Sequence, residues 1–124
     1  MKNVKYLKAA SIAVMILGSI HLAATPVVFS HADFHNGNTL SSLYMFIMVG
    51  ISTVFIGWIQ HFVLNRWDFE SGYRIILHIT VLFLTAMGIG AVIAMWANPF
   101  AYICLLISLV ELFFLRRMKK KTIV

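Results

Sequence analysis

Apolar and polar positions alternate along this chain in long blocks. Residues 7–29 form an apolar run whose only ionisable side chain past its basic start is His21. The stretch SHADFHNGNT at 30–39 is polar, contains Gly and Asn, and has no hydrophobic periodicity, which predicts a loop. A second apolar run covers 40–64 and ends in a charged, aromatic break at 65–72; a third covers 73–97. Asn98-Pro99 then opens the last run, with Asn suited to the N-cap and Pro to the first helical position, so a helix is predicted over 99–116. The chain closes on a basic tail at 116–124.

At about 1.5 Å of rise per residue, a run of roughly 20 residues crosses a hydrocarbon core about 30 Å thick. The expected fold is therefore an all-α integral membrane protein, one domain forming a bundle of four transmembrane helices. The N-terminal run also resembles a signal peptide, with Lys2, Lys5 and Lys8 before it and Ser30-His31-Ala32 after it. It exceeds the usual apolar core of about 7 to 15 residues, and a retained span is the reading.

Charge sets the orientation. Every Lys and Arg lies in the N-terminal segment, the middle break or the C-terminal tail, and none lies in the other two connections. The positive-inside rule then predicts both termini in the cytoplasm of a bacterial cytoplasmic membrane, N-in and C-in. Tyr44, Trp96 and Tyr102 are expected at the outer interface, and Tyr6, Trp67 and Tyr73 at the inner one. Small multidrug transporters also have four short helices, but they use a carboxylate in the first one, and many insert in both orientations. This chain has neither the acid nor the balanced charge.

Composition agrees: 61% of residues are hydrophobic, 11% are charged, and mean hydropathy is +0.92. The net charge of +6 sits in short clusters beside apolar runs, the arrangement of membrane flanks and not of a nucleic-acid surface. Cys104 is the only cysteine and lies within an apolar run, which excludes an intrachain disulfide and a CxxC redox pair.

Each run carries small residues at helical spacing: Ser11, Gly18 and Thr25; Gly50, Thr53 and Gly57; Thr85 and Gly88; Ala101, Cys104 and Ser108. Helices in lipid associate by close packing of such residues, so these faces are predicted to point into the bundle. His21, His61, His78 and Glu111 fall on the same faces. A charged side chain at a helix centre costs about 2.5 to 3.5 kcal/mol on insertion scales, so Glu111 needs a partner or a proton. By helical rise, Glu111 lies about 5 Å from its run's middle toward the cytoplasm, His78 about 10 Å and His61 about 13 Å.

Those three suggest chemistry. His61, His78 and Glu111 form a 2-His-1-carboxylate set suited to a transition metal, and His61 with His78 alone suits the axial positions of a haem b. A proton relay from Glu111 through the histidines is the further alternative. At the other end, His31, Asp33 and His35 alternate with apolar residues, and in an extended segment all three would point toward His21 as a second metal set. His21 is itself expected to bond Thr25 or a carbonyl freed by Pro26.

The arrangement Gly18-x-x-His21-x-x-x-Thr25-Pro26, followed by a Gly-spaced second span and basic ends, resembles uncharacterised small four-helix membrane proteins of bacteria. The resemblance implies a fold and a compartment and transfers no catalytic residue. The expected function is that of a small multi-pass membrane protein, non-enzymatic, contacting the lipid bilayer and associating with itself or a membrane complex. Haem or metal binding is the first alternative and proton-coupled transport the second.

Overall fold

The computed structural model describes residues 2–33, 35, 37–66 and 71–118, which contain helices and no strand. The helices are α1 (Lys2–Ala23), α2 (Thr25–Ser30), α3 (Gly37–Asn65), α4 (Ser71–Ala94) and α5 (Pro99–Arg116). Among the described residues, four stretches are long and apolar enough to cross a membrane, with α1 and α2 together supplying the first, Asn3–Ser30. The expected inner-interface Trp67 and the lysines of the C-terminal tail lie outside the described residues.

Boundaries differ from the sequence reading for local reasons. The first run is not one helix, because Pro26 has no N–H to continue the ladder and α2 restarts after a turn at Ala24. The turn is gentle: Ala24 stays helical at φ −76°, ψ −13°, and its carbonyl accepts from the N–H groups of Val27 and Val28 at 3.1 Å. Basic residues before Leu7 continue α1 instead of preceding it, and the polar residues from Gly37 begin α3, so the first connection is shorter than 30–39. α4 stops at Ala94 because the next residues turn into the cap of α5. There Asn98 Oδ1 accepts from Phe100 N–H at 3.0 Å, with Pro99 at the first position as predicted.

Each long helix packs on two neighbours in the cyclic order α1, α3, α4, α5, leaving α1 diagonal to α4 and α3 diagonal to α5. α1 and α3 make the most extensive seam and α3 and α4 the least. Glycine explains the first. A Cβ at Gly18 would lie 2.7 Å from Val54 N and 3.0 Å from the Gly50 carbonyl oxygen, and one at Gly57 would lie 2.8 Å from the Ser11 carbonyl oxygen. Gly88 does the same between α4 and α5, 2.9 Å from Leu105 Cα.

Side chains fill the middle in layers. At the end holding the basic residues, Leu7, Val63, Leu64, Leu77, Val81, Leu115 and Met118 form one buried cluster. That end is tied by Asn3 Nδ2 donating to the Arg117 carbonyl at 3.3 Å, Arg74 Nη2 donating to the Met118 carbonyl at 2.8 Å, and Tyr6 stacked on Phe114. Nearer the middle, Val14, Ile56 and Leu84 form a second cluster, backed by Met87, Cys104 and Ile107. The outward faces are dominated by large apolar side chains, with Leu106 63% and Ile79 60% exposed.

Candidate functional site

Between the two apolar clusters lies a polar layer. Ser11 falls between Leu7 and Val14 on α1, Gln60 between Ile56 and Val63 on α3, and Glu111 between Ile107 and Leu115 on α5. All three are buried, Gln60 and Glu111 at 1% exposure. Gln60 Nε2 donates to Glu111 Oε2 at 3.0 Å, so the pair bridges the diagonal helices α3 and α5 across the bundle centre. The oxygen of that amide, Gln60 Oε1, is buried without a hydrogen-bond partner.

The neighbouring hydroxyls give their protons to their own helices. Ser108 donates to the Leu105 carbonyl at 2.8 Å, Ser11 to Lys8 at 2.8 Å and Thr53 to Val49 at 2.7 Å. This local bonding satisfies each hydroxyl within a turn and leaves little to share with the layer. Because the Ser11 proton is spent on Lys8, the 3.2 Å contact between Ser11 Oγ and His61 Nδ1 makes His61 the donor there. His78 Nδ1 likewise donates to the Arg74 carbonyl at 2.7 Å. In the neutral form of each ring, this places the lone pair on Nε2.

The expected ligand sets do not assemble. Among the described residues, no three His, Cys, Asp or Glu side chains come together in a way that would hold a metal ion. His61 turns to α1, His78 back along α4, and Glu111 to Gln60, so the three do not converge. The physical reason is that each found a nearer partner than the others. His31, Asp33 and His35 do not form an extended strip either. His31 Nδ1 reaches back over the end of α2 to the Val27 carbonyl at 2.8 Å, and Asp33 Oδ1 accepts from His35 N–H at 3.1 Å in a local turn. Phe34 and Asn36 lie outside the described residues.

His21 also differs from expectation. Its Nε2 donates to the Phe46 carbonyl on α3 at 3.0 Å, and its ring stacks on Phe46 with centroids 3.8 Å apart. Thr25 Oγ1, the expected partner, is buried and unbonded. His21, Thr53, Met87, Asn98 and Cys104 border a cavity of about 40 Å³ in the half of the bundle away from the basic end. The polar groups of His21 and Thr53 face backbone carbonyls, so the cavity wall is apolar despite its residue types.

Sequence reading passed over Gln60. A signal was present, since Gln60 lies seven residues after Thr53 and is the only amide inside the run at 40–64. The chain matches no known protein family, no curated protein and no solved structure.

Proposed function

We propose that this chain is a multi-pass protein of a bacterial cytoplasmic membrane, N-in and C-in, which works without enzymatic chemistry as a self-assembling membrane subunit. Four helices of spanning length and apolar outward faces support the membrane reading, since soluble proteins rarely expose such continuous apolar surface. The one-sided placement of Lys and Arg supports the orientation.

One observation carries the assembly reading. The small-residue faces read from the sequence are consumed inside the bundle, at Gly18, Gly50, Gly57 and Gly88. α4 carries another, facing outward: Ala86, Gly90 and Ala94 are exposed at one-turn spacing, and a Cβ at Gly90 would meet nothing within 4 Å. Small residues at that spacing let a second helix approach closely in lipid. In mild detergent the full chain is expected to run as a dimer or larger species and Gly90→Leu as a monomer. A wild-type chain that stays monomeric at high protein-to-detergent ratio would refute the assembly reading.

Haem or metal ligation by His61 and His78 alone, without Glu111, is the second reading. It is favoured by the shared tautomer, which orients Nδ1 on a neighbour and leaves Nε2 to ligate. Its test is the absorption spectrum and metal content of purified protein. A Soret band or about one bound metal, lost in His61→Ala and His78→Ala, would establish it, and a colourless, metal-free preparation would remove it.

A further inference from the structure

A carboxyl group at the middle of an apolar bundle lacks a counter-charge, and the amide oxygen beside it lacks a hydrogen-bond donor. Glu111 has a neutral partner, the Gln60 amide, which gives a hydrogen bond but does not cancel charge. Gln60 Oε1, on the same amide, is buried and accepts from nothing. Unpaired buried acceptors and uncompensated buried charges are each strongly disfavoured in a medium without water.

We infer that Gln60 and Glu111 form an occluded binding site for one exchangeable proton, closed toward the basic end by the Leu7–Leu115 cluster and toward the other end by Val14, Ile56 and Leu84. A single proton answers both deficits. It converts the carboxylate to a carboxylic acid, forming one O–H bond with no other bond broken. The acid's O–H is then a donor beside the orphaned Oε1, while its other oxygen keeps the N–H of the same amide. Amide and carboxylic acid are complementary in this sense, each offering one donor and one acceptor on adjacent atoms. A metal cation is a poorer fit, because the amide presents its N–H and not its oxygen to Glu111, and Ser11 and Ser108 have turned to backbone carbonyls.

Other titratable groups on the surrounding elements do not supply a counter-charge. On α1, Lys8 lies one turn from Ser11 toward the basic end, and its backbone carbonyl is what accepts from Ser11. On α3, His61 is turned to Ser11; on α4, His78 is turned to the Arg74 carbonyl; on α5, Cys104 lies about two turns from Glu111 toward the loop end. Two apolar clusters on either side mean that exchange requires the bundle to open, so the proton is held between openings.

The test is infrared difference spectroscopy on the full chain in lipid bilayers, stepping pH. The expected result is a carboxylic-acid carbonyl band that converts reversibly to carboxylate as pH rises. It should be absent from Glu111→Gln, and in Gln60→Leu it should move to higher frequency because the carbonyl loses its N–H donor. Should Glu111→Gln fail to fold, the exchanged pair Gln60→Glu/Glu111→Gln keeps both groups and should restore the band. Spectra in which Glu111 contributes no titrating band, whether it stays ionised or stays protonated across the range, would overturn the inference. The readout does not depend on oligomeric state, so assembly and proton binding stand or fall separately.

Discussion

At Gly18 and Gly57 the backbones of α1 and α3 approach until a Cβ would lie 2.7 Å from Val54 N or 2.8 Å from the Ser11 carbonyl oxygen, whereas at Gly90 of α4 a Cβ would meet nothing within 4 Å. The residue type is the same and the spacing pattern similar. In the first region glycine is required by close approach, and in the second it is free. Small residues in a transmembrane helix thus state a capacity for close packing without naming the partner, and only the tertiary arrangement shows which capacity is used within the chain.

The sharpest way to break this contrast is Gly18→Val. Backbone atoms cannot swing aside as a flexible side chain can, so the α1–α3 seam must open at a cost of about 3 kcal/mol or more. Thermal unfolding in detergent should show a large drop, and an unchanged midpoint would mean the seam is not as described. Next comes the polar layer across the centre. Gln60→Leu strips Glu111 of its hydrogen bond and is expected to destabilise by about 2 kcal/mol, while the double variant Gln60→Leu/Glu111→Leu recovers most of it by leaving no unsatisfied partner. A double variant as unstable as the single one would show that the pair holds the helices through more than its hydrogen bond.

Ser11→Ala is smaller in effect, removing the acceptor for His61 at a net cost of about 1 kcal/mol, read in the same unfolding experiment. Gly90→Leu should change the unfolding of the monomer by less than about 0.5 kcal/mol, because the added side chain enters open space. Its consequence belongs to assembly alone, and a clear loss of monomer stability would place Gly90 in an internal contact instead.

Individual residues show how much was legible beforehand. Asn98-Pro99 announced the start of α5 and the structure places the cap there, because an N-cap acts on residues next to it. The inward turn of Glu111 was legible too, as a lone carboxyl in so apolar a run is costly to leave among exposed apolar side chains. Its partner was not. The sequence reading looked to His61 and His78, and the structure gives Gln60, since one helical position, about 100° of rotation, separates Gln60 from His61. The partner of His21 was also hidden: Thr25 and a carbonyl freed by Pro26 were the local candidates, but the bond to Phe46 depends on α3 lying alongside.

From its amino acids alone, this chain determines four apolar stretches of spanning length and which faces carry small or polar side chains, because these follow from hydropathy, periodicity and capping along one polypeptide. The cyclic order of the helices, the diagonal meeting of Gln60 with Glu111, and the separation of spent glycines from a free one were decided only when the helices packed. Those outcomes depend on rotations and distances between helices, which are fixed by contacts among residues as many as 114 positions apart and leave no local trace in the sequence.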